Sequence, residues 1–99
     1  MQLSDIPERE GTAMLMALTD SPVRNSIFNV LYSMGGKASN EEIAKKVGVP
    51  WERYEHNANI LIDVGLVKTA YPKPDSLELT EAGYVWGKAI EKSEAKQKS

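Results

Sequence analysis

Between Val47 and Trp51 the chain reads Gly-Val-Pro, and no regular helix is expected to pass through it. A glycine at 48 permits the left-handed residue that stops one helix, and Pro50 presets φ for the start of the next while lacking a backbone N–H. Apolar surface on either side must therefore be packed by two short helices meeting at a sharp turn, with Val49 plugging it. The rest of the chain has to fold around that joint.

Upstream of the joint, Ser39 of "SNEE" is the predicted N-cap, with Glu42 three residues on completing a capping box. It opens a short helix over about Asn40 to Val47 that buries Ile43, Ala44 and Val47. Downstream, Tyr54, Ala58, Leu61 and Ile62 fall on one side of a fourth helix ending at Gly65. Nearer the N-terminus, "TAMLMALT" over 12–19 is an apolar helical run, and Ser21-Pro22 starts a second helix. There Val23, Ile27, Val30, Leu31 and Met34 face inward, Arg24, Asn25, Asn29 and Ser33 stay wet, and Gly35-Gly36 ends the element. After Gly65, "LVKTAY" and "SLELT" alternate like strands and are joined by "PKPD", a β-hairpin pattern. Thr80 caps a last helix with Val85, Trp86, Ala89 and Ile90 as its apolar stripe. The predicted architecture is mainly α with a small β-hairpin: a polar arm over 1–11, one domain over 12–92, and a flexible charged tail over 93–99.

At 99 residues, one modest core is available and a second is not. The absence of cysteine excludes a disulfide framework, a thiolate zinc site and a cysteine nucleophile, and it favours the cytoplasm as compartment. A single histidine, His56, and carboxylates without a partnering base or phosphate-binding glycine loop predict no enzyme, no metal and no cofactor. No apolar run approaches the roughly 20 residues that cross a bilayer, and "MQLSDIPEREG" is acidic where a secretory leader would be basic. A net charge of -2 gives no global attraction to a polyanion, so the placement of charges decides. From residue 37 to 73, six basic residues face five acidic ones.

The order helix, helix, capped short helix, tight turn, longer helix, two-stranded wing, closing helix resembles the winged helix-turn-helix plan. "ALTDSPVRNSIFNVLYSM" resembles the opening of ArsR-type regulators. "SNEEIAKKVGVPWERYEHNANILIDVGLV" is similar to that family's S-x-x-E-(I/L)-A-x-x-(L/V)-G-(I/V) lead-in and closing (A/V)-G-L-V. "LELTEAG" resembles the LT-x-x-G that closes the wing in ArsR-, PadR- and MarR-like proteins. The resemblance covers residues 13 to 90. Its metal-sensing side does not carry over, because the cysteine and histidine ligands are missing. The wing tip also departs, with Pro72, Lys73, Pro74 and Asp75 where those proteins often place arginine and glycine.

By this resemblance, base-reading positions map to Trp51, Glu52, Arg53, Glu55, His56, Asn57 and Asn59. Arg53, His56 and Asn57 stand at i, i+3 and i+4 and are expected to share a face. Arginine pairs bidentately with guanine and asparagine with adenine, each pair giving about 1 to 3 kcal/mol of discrimination. Glu52 and Glu55 either stabilise the helix start through its macrodipole or accept from cytosine N4. Phosphate contacts would come from Lys37, Lys45, Lys46, Lys68 and Lys73, with Ser39 at a helix start. Trp51 is expected to pack under the turn against Val47 and Val49, the alternative being exposure at the groove mouth. The resemblance also implies a homodimer through the first and last helices, using Met14, Leu15, Leu18, Val85, Trp86, Ala89 and Ile90, with two reading helices about 34 Å apart. The alternative there is a first helix folded onto its own core. The expected function is a sequence-specific double-stranded DNA-binding transcriptional regulator; the alternative is a winged-helix module for protein contacts in a larger assembly.

Overall fold

The computed structural model describes residues 1–70 and 75–98, with side chains through residue 94. A 3-10 turn at Leu3–Asp5 leads into α1 (Glu8–Thr19), α2 (Pro22–Ser33), β1 (Lys37–Ser39), α3 (Asn40–Val47) and α4 (Trp51–Asp63). These are followed by β2 (Val67–Thr69), β3 (Ser76–Leu79) and α5 (Glu81–Lys98). The chain is thus mainly helical with one small antiparallel sheet.

The expected punctuation operates as atoms. Ser21 Oγ accepts from Arg24 N at 3.2 Å ahead of Pro22, and Ser39 Oγ accepts from Glu42 N at 3.1 Å, the serine half of the expected box. Gly48 stands at φ 76°, ψ 37° and closes α3 through its N–H to the Ala44 carbonyl. Pro50 is the residue before α4 and not its first, so the joint between the two helices is one residue longer than read from sequence. The end of α4 is a paired closure in which Gly65 N donates to Ile62 O and Leu66 N to Leu61 O, so two free helix carbonyls are satisfied as the chain turns into β2.

The sheet has three strands, not the two of a hairpin, in the order β1-β3-β2. Ala38 pairs with Leu77 and Lys37 with Glu78 on one side of β3, while Lys68 pairs with Glu78 and Val67 with Leu79 on the other. β1 follows directly from the glycine pair: Leu79 N donates to Gly36 O at 2.8 Å, so the ladder begins at the second glycine of the turn that follows α2. Of the expected strand joint "PKPD" over 72–75, residues 72–74 lie outside the described residues, as does residue 71 at the end of the expected first strand.

The core is built on α2, whose Ile27, Phe28 and Leu31 are fully enclosed, together with Ile43 of α3, Tyr54 and Leu61 of α4, and Leu66, Val67, Leu77 and Leu79 around the sheet. Enclosing a side chain of this size contributes about 1.5 to 3 kcal/mol, so this cluster outweighs any single polar contact in fixing α4. α1 starts at Glu8, inside the expected polar arm, and lays Met14, Ala17 and Leu18 into the same core. α5 runs on through the segment expected to fray, to Lys98.

Thr80 docks α5. Its hydroxyl accepts from Gly83 N at 3.1 Å and donates to the Gly65 carbonyl, and its own N–H donates to Leu66 O at 3.1 Å. Gly83 lies so close to the Leu66 carbonyl oxygen that a Cβ there would overlap it. The "LT-x-x-G" pattern is therefore a joint between the end of α4 and the start of α5.

Candidate nucleic-acid interface

α4 is rooted by Tyr54, Asn57, Ala58 and Leu61, all buried. On a 3.6-residue period the opposite line is Glu52, His56, Asn59 and Asp63, and all four are exposed. Arg53, also exposed, shares the side of Asn57 one turn earlier; Trp51 and Glu55 lie on the other shoulder, toward the sheet. The outermost ridge thus alternates carboxylates at its ends with an imidazole and an amide in its middle.

Asn57 does not read the exterior. It is 6% exposed; its Nδ2 donates to Arg53 O at 2.8 Å, and its Oδ1 accepts from Arg24 Nε at 3.3 Å and from Ser21 Oγ at 3.4 Å. The expected trio of Arg53, His56 and Asn57 is therefore reduced to Arg53 and His56. The physical reason is distance in sequence: the groups that make an inward asparagine satisfiable come from α2, and spacing along α4 carries no sign of them. Arg24, expected to be wet, is half-buried for the same reason.

The basic residues divide into two sets. Lys45 and Lys46 stand exposed in the last turn of α3, where their charge also complements the helix C-terminus. Lys37 and Lys68 are exposed on the outer face of the sheet, and each is the cross-strand partner of Glu78. Directly opposed residues of neighbouring strands share a face, so a carboxylate sits between these two cations. Sequence reading missed Glu78 because a strand pairing, not proximity along the chain, brings it to both lysines. The Ser39 hydroxyl is used as a helix cap, and Lys73 lies outside the described residues.

Trp51 does not pack under the turn. It is 51% exposed, its ring tilted 40° against Tyr54 with centroids 5.2 Å apart. Val47 and Val49 are instead half-buried against the main core. Tyr54 itself is enclosed, its hydroxyl donating to Asn40 Oδ1, and burial pushes its pKa well above the ordinary tyrosine range. Between α4 and the sheet lies an open cleft of about 190 Å³, lined by Asn40, Trp51, Tyr54, Glu55, Asn59 and Thr69 among others.

The residues expected at a dimer face separate as well. Met14 and Leu18 are 4% exposed and belong to the monomer's core, so α1 folds onto its own chain. Trp86 and Ile90 pack against that core, with Trp86 Nε1 donating to Met14 Sδ at 3.2 Å. Val85 and Ala89 are half-buried beside Met1 and Leu3, which lie along α5. Leu15 remains open at 48%, next to the exposed Met16.

Chemically, this face offers a guanidinium, an imidazole, an amide and two α3 ammonium groups as donors, with the Glu52, Glu55, Asp63 and Glu78 carboxylates set among them. Among the described residues, no three of histidine, aspartate and glutamate converge as a metal site would require, and no helix is long and apolar enough to cross a membrane. The chain matches no family model, and no curated protein matches it in sequence.

Proposed function

We propose that this chain is a winged helix-turn-helix protein that binds double-stranded DNA sequence-specifically as a homodimeric transcriptional regulator, with α4 as the reading helix. One observation carries the reading: α4 is rooted on one side by enclosed residues and, among the described residues, presents a continuous exposed outer face, with the lysines of α3 at its base and the sheet beside it. A helix held rigidly and bare along one face is what insertion into a major groove requires. Within that face Arg53 and Asn59 are the base-reading side chains, His56 contacts phosphate or base, and Lys45 and Lys46 contact phosphate. For a two-fold contact the exposed Leu15 and Met16 on α1 are the apolar positions, with the half-buried Val85 and Ala89 on α5 beside Met1 and Leu3.

A second reading, a module for protein contacts, is favoured by the four carboxylates around α4 and the exposed Trp51. Selection of bound sequences from a random duplex library, followed by titration in graded salt, separates the two. An enriched palindrome whose affinity falls steeply with salt supports the regulator; no enrichment and no binding at low salt supports the protein module. Arg53→Ala should lower discrimination at one position of each half-site by about 1 to 3 kcal/mol.

A further inference from the structure

The cleft between α4 and the sheet has a composition that neither duplex reading nor core packing explains. Its volume of about 190 Å³ is that of a side-chain-sized guest and not of a drug-sized one, for which about 300 Å³ is the lower end. One wall is the Trp51 indole, half exposed and tilted on Tyr54. The facing groups are the Glu55 carboxylate, the Asn59 and Asn40 amides and the Thr69 hydroxyl. Among the described residues Glu55 is the only charged side chain in the lining.

We propose that this cleft binds an organic cation, an alkylammonium or guanidinium group, stacked on Trp51 and paired with Glu55. The face of an indole attracts a cation through its quadrupole, and a carboxylate one helical turn away supplies the counter-charge. The amides and hydroxyl accept the remaining N–H groups. An anion would meet Glu55 unfavourably, and a neutral apolar guest would strip water from that carboxylate with nothing in return. Leu77, Ala58 and Ile62 close the floor, so the guest's carbon atoms also find contact. The same chemistry can arrive free, as a small amine, or tethered, as an arginine of another protein. The site shares Asn59 with the proposed reading face, but its recognition uses neither Arg53 nor the lysines, and Trp51 and Glu55 carry it.

The test follows the Trp51 indole N–H by NMR in the full chain, where the only other indole is Trp86. Tetramethylammonium, N-acetylarginine amide and a short arginine-containing peptide are titrated at constant ionic strength. N-acetylcitrulline amide serves as the uncharged isostere. Expected is a saturable shift with a dissociation constant on the order of 1 mM for the free cations and none for citrulline. Glu55→Gln should weaken it about tenfold and Trp51→Leu, read at the Asn59 side-chain amide, about three- to tenfold. Both residues are exposed, and an unchanged melting transition verifies that each variant is folded. A peptide binding tenfold or more tightly than the free amide assigns the cation to a protein partner; equal affinities assign it to a free amine. The proposal is overturned by shifts that stay linear to about 50 mM, well past the millimolar range where such a contact saturates, by citrulline shifting the indole equally, or by an unchanged constant in Glu55→Gln. Duplex binding enters none of these readouts, so failure here leaves the regulator reading standing, and the converse.

Discussion

The Asn57 carboxamide oxygen accepts from the Arg24 guanidinium at 3.3 Å, tying the middle of α4 to the first turn of α2 across 33 residues of chain. Ser21, the cap of α2, donates to the same oxygen, so one side chain serves both the orientation of α4 and the start of α2. Asn57→Ala removes the acceptor from two part-buried donors and should cost about 1 to 3 kcal/mol, measured by urea unfolding. Arg53→Ala, one turn earlier and exposed, should leave stability within about 0.5 kcal/mol. Were the two variants equally stable, Asn57 would not be the structural joint described.

Gly83 and the Leu66 carbonyl define a second joint, in which the helix backbone approaches too closely for any side chain. Gly83→Ala cannot be relieved by rotating a flexible neighbour, because the obstructing atom is backbone. α5 must tilt away, breaking the contact of Thr80 with the end of α4. A loss of about 2 kcal/mol or more is expected in chemical denaturation, although alanine is the better helix former. A neutral or stabilising result would show that α5 is seated differently.

These two joints show what the sequence makes legible. Breakers and caps act through atoms within a few residues of one another, so Ser21-Pro22, Gly35-Gly36, Gly48 and Thr80 mark their elements correctly. β1 is not legible, since three residues carry no periodicity and become a strand only because β3 supplies the partner. Phe28 escaped the predicted inner face of α2 because that face wraps more of the helix than one stripe once α3, α4 and the sheet all lean on it. The segment after residue 92 is helical without an apolar stripe, as a run of Glu, Lys, Ala and Gln allows by propensity alone. Of the candidate interface, the exposed positions of α4 were readable from its period, whereas the inward turn of Asn57 and the place of Glu78 depend on pairings made far away in sequence.

Tyr54 gives the fold a dependence on alkaline pH. Its folded pKa is raised because burial disfavours the phenolate, whereas in the unfolded chain it ionises near the ordinary value of about 10. Above that pH the unfolded state holds fewer protons than the folded one, so stability is complete below about pH 10 and falls as pH rises beyond it. Tyr32, whose hydroxyl donates to Glu91 at 2.8 Å, is raised by that hydrogen bond first and by burial second, and it acts in the same direction. Urea midpoints measured on either side of pH 10 should decline in the wild type and decline less steeply in Tyr54→Phe. Equal slopes would remove Tyr54 as a source.

Met14 and Leu15 are adjacent, yet one lies in the core and the other faces out. Met14→Ala should therefore cost about 2 to 5 kcal/mol of stability, whereas Leu15→Glu should leave unfolding nearly unchanged. If copies of the chain associate through α1, Leu15→Glu shifts sedimentation equilibrium toward monomer without loss of cooperativity. A wild type that sediments as a monomer at all concentrations would remove the dimer from the proposed function.

Glu78 stands between Lys37 and Lys68 on the outer face of the sheet, and its charge bears directly on whether that face can approach a duplex. With the carboxylate present, each lysine's field is partly cancelled at the distance of a phosphate. Removing it should strengthen duplex binding at low salt by about two- to threefold, from one unit charge at roughly 8 Å in a high-dielectric setting. It should also steepen the dependence of log affinity on log salt, because both ammonium groups then displace counterions more fully. Glu78→Gln keeps the strand's shape and its half-buried position, so stability serves as the control. Under the protein-contact reading the same variant has no duplex affinity to raise. A measurable gain in binding with a steeper salt slope would mean that the sheet lies against the phosphate backbone, while a gain with an unchanged slope would place those lysines away from it.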